Sequence, residues 1–123
     1  MAETNLIEAN FPLAEEIGDY GLAGNSARGS SLTAVNLPLL WKIGGYAFRY
    51  NNQITSITLP SLKKTASTFR VFEECSNLTR LDLGPIEQIH TYWFADTNLT
   101  VLILRGSTMA SLSNVNAFAN TPI

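Results

Sequence analysis

Few residues in this chain of 123 are of the types that carry out chemistry, and those present are spaced against it. His90 is the only histidine and Cys75 the only cysteine. One cysteine makes neither an intramolecular disulfide nor a cysteine-based zinc site. One histidine removes most metal-ligand sets and most Ser/His or Cys/His catalytic pairs. With no second His or Cys close by in sequence, His90 reads as a surface or turn histidine rather than a ligand. Glu73 and Glu74 are adjacent carboxylates, a residue type suited to acid/base work, but sequence neighbours diverge in direction, so the pair reads as a solvated turn. Cys75, just after them, reads as a small packed hydrophobe, buried and reduced. "NLT" at Asn77 and at Asn98 has the form of a glycosylation acceptor. Both copies also sit where a turn precedes a strand, and that role suffices.

Composition narrows the class. With 46% apolar and 15% charged residues the chain folds as a globular unit, and its length suits one domain. A net charge of -2 implies neither a nucleic-acid nor a membrane partner. The longest apolar run, Val101 to Leu104, is far short of the roughly 20 residues of a membrane span. The opening "MAETNLIEANF" has no basic stretch leading into an apolar one, so no signal peptide is visible.

The informative feature is repetition. "NLTRLDLG" at Asn77 and "NLTVLILR" at Asn98 are near copies. Leu78, Leu81 and Leu83 give L-x-x-L-x-L, and Leu99, Leu102 and Leu104 repeat it. Leu32, Val35 and Leu37 match ahead of Pro38; Ile54, Ile57 and Leu59 match ahead of Pro60; Leu6, Ala9, Phe11 and Pro12 form a weaker copy. Units thus start at residues 6, 32, 54, 78 and 99, in steps of 26, 22, 24 and 21. Each second half aligns as well, with Ile17, Ile43 and Ile89 followed by Leu22, Phe48 and Phe94. Phe72 and Phe118 fill the same Phe slot two and three residues late, after "KKTAS" and "GSTMAS".

The alternation suits a short strand with one buried face. Such a strand hides its apolar side only by stacking in parallel on its equivalents. Stacking lines up Leu32, Ile54, Leu78 and Leu99 in one column and the Phe slots in another. It also sets Ile7, Thr33, Thr55, Thr79 and Thr100 in one register, a threonine ladder. Parallel neighbours need a right-handed crossover, here a second short extended segment such as Leu39 to Ile43. Gly44, Gly45, Pro38, Pro60 and Pro85 turn the corners. Strands are expected near residues 33–37, 55–59, 79–83 and 100–104.

These residues resemble a known family. "LTAVNLPLLWKIGGYAF", "ITSITLP" and "FEECSNLTRLDLG" are similar to the BspA-like class of bacterial leucine-rich repeat, which joins an L-x-x-Φ-x-L-P half to an I-x-x-x-A-F half. A Cys or Asn turn precedes the next Leu. The likeness is good over residues 31–123 and poor over residues 5–30. "NAFANTPI" resembles repeat ends of gut-bacterial and prophage proteins of this class. Trp93 departs from the small slot of Ala47 and Ala117, Leu22 replaces Phe, and "AGNSARGSS" lengthens the first turn. The expected fold is mostly β with irregular or α/β character: a right-handed leucine-rich-repeat solenoid of about five units with a parallel strand ladder. Residues 1–30 would be a degenerate N-terminal repeat or cap and residues 31–123 one continuous repeat domain, a fragment of a longer array. The resemblance implies a bacterial cell-surface, extracellular or virion protein that binds other macromolecules, with no catalysis and no cofactor.

The candidate binding residues are the outward strand positions Ala34, Asn36, Ser56, Thr58, Arg80, Asp82, Val101 and Ile103, offered to a protein or glycan. A spacer or assembly segment of a larger surface or phage virion protein is the alternative. A glycan-cleaving β-helix enzyme would need converging carboxylates, and Asp82 is the only acid at these positions. Residues 21–72 hold six basic side chains and no acidic one, which raises nucleic-acid binding. Register argues against it, because stacking sets Lys42 near Glu16 and Arg49 near Glu73, so pairing between units accounts for the pattern. The C-terminal repeat has an open apolar edge and is expected to be a contact surface, for further repeats or for self-association.

Overall fold

The computed structural model describes residues 7–65, 70–89, 92–105, 111–112 and 120–122. Among these described residues, ten short strands alternate between two sets. The first set is β1 (Glu8–Asn10), β3 (Ala34–Asn36), β5 (Ser56–Leu59), β7 (Arg80–Leu83) and β9 (Val101–Leu104). The second is β2 (Glu16–Ile17), β4 (Lys42–Ile43), β6 (Lys64–Thr65), β8 (Gln88–Ile89) and β10 (Ser111–Leu112). Every pairing between them is parallel: β1 with β3, β5 with β7 and β9, β2 with β4 and β6, and β8 with β10. This is a β-solenoid, and the connections among the described residues are turns rather than helices. The four expected strands all form, each within a residue or so of its expected start and end.

Register follows the repeat. Ile57, Leu81 and Leu102 are aligned partners, as are Leu59, Leu83 and Leu104. A strand places alternate side chains on opposite faces, so these residues turn inward together. Leu32, Ile54, Leu78 and Leu99 are wholly buried beside them. The Phe slots stack face to face: Phe48 lies 5.5 Å from Phe72, and Phe72 lies 6.1 Å from Phe94. Trp93, in the small slot, is buried edge-on to both Phe72 and Phe94. Phe118, His90, Leu6 and most of the segment after Arg105 lie outside the described residues.

Polar groups tie the units together. The N–H and hydroxyl of Thr79 both donate to the Thr55 carbonyl, and those of Thr100 to Thr79. Thr33 does the same to Ile7. Among the described residues no such bond joins Thr55 to Thr33, and the first strand set is interrupted at the same place, between β3 and β5. The second set runs through that break as β2–β4–β6.

A third row of bonds runs along the turns. The Phe-slot N–H groups of Leu22, Phe48 and Phe72 donate to the carbonyls of Ala47, Val71 and Trp93 in the following unit. Gly24, Tyr50 and Glu74 donate to Arg49, Glu73 and Ala95 in the same direction. The backbone bends sharply to reach these partners. Two residues before the Phe slot, Tyr20, Tyr46, Arg70 and Tyr92 have positive φ; two after it, Tyr50, Glu74, Asp96 and Asn120 do. A left-handed non-glycine residue costs about 1–2 kcal/mol, which these inter-unit hydrogen bonds offset by pairing the turn N–H groups of Leu22, Phe48 and Phe72. Gly44 turns a corner where an added Cβ would collide with the backbone of Gly18 and Asp19.

Candidate binding face

The outward side of the first strand set is built by the same alternation that fills the core. Ala34, Asn36, Ser56, Thr58 and Arg80 are exposed, Val101 is 41% exposed, and Ile103 is half-buried. Register brings them into rows: Ser56, Arg80 and Val101 in one, Thr58, Asp82 and Ile103 in another. Glu8 with Ala34 and Asn10 with Asn36 form the equivalent rows of the separate β1–β3 pair. The Asn36 amide donates to Asn10 Oδ1 at 2.8 Å, closing that end.

Asp82 departs from the expectation. It sits at an outward register position yet is only 4% exposed. Arg105 reaches back from just past β9 and grips the carboxylate with Nε on Oδ1 and NH2 on Oδ2, both at 2.7 Å. Arg80 NH2 stands 3.9 Å away. The bidentate Arg105 bond, despite the burial, holds the Asp82 carboxyl below its ordinary value. What the face presents there is guanidinium, not carboxylate. Arg105 was not among the candidate residues, because its partner lies 23 positions earlier and one strand away.

The turn edge carries a second constellation. Glu73 is not on a solvated turn: it is 3% exposed, with Arg49 Nε 2.7 Å from Oε1 and Arg70 on Oε2. Burial pushes its carboxyl above the ordinary value against the pull of both guanidinium groups. Arg49 also lies over the rings of Tyr46 and Tyr50, and Arg70 over Tyr92. Tyr20 and Tyr46 stack at 4.7 Å. The recurrence of Tyr20, Tyr46 and Tyr92 two residues before the Phe slot is the signal that marks this edge in the sequence. The expected ion pairs between units form, Arg49 with Glu73 and Lys42 with Glu16 at 3.8 Å. Lys64, however, is aligned beside Lys42 with like charge.

Three residues past the Phe slot stand Asn51, Cys75 and Thr97, and each caps turn carbonyls. The Asn51 amide donates to the carbonyls of Leu22 and Phe48 at 2.8 Å, the Cys75 thiol to Phe48 at 3.0 Å, and the Thr97 hydroxyl to Phe94 at 2.8 Å. Cys75 is reduced and wholly buried, as expected, and burial pushes its thiol up to about 12.

Among the described residues no group of three or more His, Cys, Asp or Glu side chains converges. None of them forms a helix long and apolar enough to cross a membrane. No curated protein and no solved structure is significantly similar to the chain. One family does match, described as the BspA type leucine-rich repeat region (6 copies), over residues 2–123. The match takes in nearly the whole length, including the first unit that resembles the others least, and the chain belongs to the BspA type leucine-rich repeat family.

Proposed function

We propose that the outward side of the strand ladder is a recognition surface for a protein, and that the chain has no catalytic role. The supporting observation is the register: Asn36, Ser56, Thr58, Arg80 and Val101 stand exposed on strands whose opposite face packs into the core, wholly buried at Ile57, Leu59, Leu81 and Leu83 and half-buried at Val35, Leu102 and Leu104. A surface fixed this way needs little ordering on binding. Arg80 and Arg105 make the β7–β9 part cationic at its rim, which favours an acidic partner surface.

Size sets a limit. Five strands about 4.8 Å apart and about 13 Å long offer roughly 300 Å² of flat ladder. A stable partner covers about 800 Å² on each side. A partner therefore extends over the flanking turns, or binds transiently. The family supports repeat-based binding in general; a bacterial surface, extracellular or virion setting is part of the proposal. So is the division into a cap at residues 1–30 and repeats at residues 31–123.

The experiment is photo-cross-linking from a benzophenone side chain at Thr58, compared with one at the exposed Lys63 just ahead of β6, in extract of the source cells. Adducts from Thr58 alone are expected. Adducts from Lys63 alone, or equally from both, remove the reading.

A second reading, assembly through the C-terminal repeat, rests on β9: Val101 is exposed, Leu102 and Leu104 are half-buried, and among the described residues no strand pairs with its far edge. An unpaired edge is a template for another strand. Concentration-dependent mass in light scattering, abolished by Val101→Lys, supports it; a constant monomer mass sinks it.

A further inference from the structure

A cleft of about 290 Å³ opens where the lengthened first turn meets the turns of the next three units. Its lining includes Ser26 from the first unit, Tyr50 and Asn52 from the second, Glu74 and Ser76 from the third, and Asp96 from the fourth. Later units stack through their turn-edge bonds without any such extension, so stacking does not require it. In repeat proteins, insertions of this kind gather on one face, often the binding face.

The wall is preformed. Asn25 and Gly29 exchange backbone hydrogen bonds at 2.8 and 2.6 Å, and Asn25 Oδ1 accepts from the N–H groups of Ala27 and Arg28. Gly24 donates to the Arg49 carbonyl and Ser30 to Asn52 Oδ1, docking the loop on the second unit. Gly29, at φ 72°, lies so close to Asn52 that any Cβ would collide with its side chain. A cleft held open in this way is ordered before a ligand arrives.

The lining chemistry narrows the ligand. Hydroxyls, a carboxamide and two carboxylates offer paired acceptors and donors, and Tyr50 adds an aromatic ring. Among the described residues no basic side chain lines the cleft, and the two carboxylates repel anions, which disfavours uronates, sulfates and phosphates. A cationic ligand is disfavoured as well, because the Arg49 guanidinium already lies 4.4 Å over the Tyr50 ring. A neutral ring bearing several hydroxyls satisfies the groups that remain. The volume, at the lower limit of the roughly 300–1,000 Å³ of small-molecule sites, admits about one or two such rings. We propose that this cleft binds a neutral saccharide, one or two rings of a glycan. It is distinct from the strand face and does not depend on that reading.

The test is an immobilised array of neutral hexose and N-acetylhexosamine oligosaccharides, with polygalacturonate and hexalysine as the charged probes. The protein is applied as wild type, Ser76→Trp, Glu74→Gln/Asp96→Asn and Thr58→Arg. Ser76 is exposed, so the indole blocks the cleft with the melting temperature unchanged. Binding to at least one neutral saccharide is expected, with loss of about tenfold or more in Ser76→Trp. Thr58→Arg should leave it unchanged, which separates this site from the strand face. The amide double variant should retain part of the saccharide signal, since amides still hydrogen-bond hydroxyls. Absence of saccharide binding by the wild type overturns the proposal. So does a signal indifferent to Ser76→Trp, or preferential binding of hexalysine or polygalacturonate.

Discussion

Replacing Phe72 by alanine should damage the fold more than other single truncations outside the core column. The ring is wholly buried, stacked between Phe48 at 5.5 Å and Phe94 at 6.1 Å, with the Trp93 edge 6.0 Å away. Phe→Ala in a packed core costs about 3–5 kcal/mol from lost transfer energy and the cavity left behind. The aromatic pairs contribute about 0.5–1.5 kcal/mol each, part of which that figure already contains. A solenoid is held by nearest-neighbour interfaces, and Phe72 lies in two of them at once. Truncation therefore weakens the second unit's contact with the third and the third's with the fourth together. Against a total stability of about 5–15 kcal/mol, a loss near 4 is severe. For a chain of this length it lowers the melting temperature by roughly 12–20 °C. Thermal and urea melts followed by circular dichroism measure it. Tyr20→Ala is the comparison: its ring is 47% exposed and stacks on Tyr46, so about 1 kcal/mol or less is expected. A Phe72→Ala protein melting within a few degrees of wild type, or alongside Tyr20→Ala, would refute the stacked-column reasoning.

Other consequences can be measured on the same material. Asp82 has its carboxyl lowered by Arg105, so its contribution is present above the unfolded value near 3.8 and fades as pH falls through the folded one. Asp82→Asn should lower the melting temperature by a few degrees at pH 7 and lose less on acidification than wild type. Glu73 has its carboxyl raised by burial, so the sign is opposite: the folded state takes up this proton first, and the group favours folding as pH falls toward 4.5. Melting of Glu73→Gln across pH 4 to 7 should lack that acid-side gain. Cys75, with its thiol at about 12 and wholly buried, should react with a thiol reagent at pH 8 about a thousandfold more slowly in the native protein than in denaturant. Comparable rates would contradict its place in the core.

The strands were readable because L-x-x-Φ-x-L carries both a period and a register, and stacking turns register directly into contact. Inter-unit ion pairs were readable for the same reason, as Arg49 and Glu73 occupy equivalent slots. Glu73 was misjudged as solvated because its second partner, Arg70, and its burial depend on how the turn bends. That bend rests on left-handed tyrosines and charged residues, which local propensity disfavours at positive φ. Asp82 shares its register with Thr58 and Ile103, but its cover comes from Arg105, whose long side chain folds back across a strand. The cleft was hidden for a related reason: "AGNSARGSS" is visibly an extra loop, but only packing against Tyr50 and Asn52 turns it into a wall.

The parallel register underlies the face and the cleft alike, and engineered cysteine pairs test it directly. Ser56 and Arg80 are aligned on neighbouring strands with outward side chains. Parallel neighbours stand about 4.8 Å apart, inside the about 4.4–6.8 Å Cα range that a disulfide spans. Ser56 and Val101 are two strands apart, about 9.6 Å, beyond reach. Under mild oxidation, Ser56→Cys/Arg80→Cys should form an intramolecular disulfide in nearly every molecule, while Ser56→Cys/Val101→Cys stays reduced. Cross-linking of the second pair and not the first would contradict the stack.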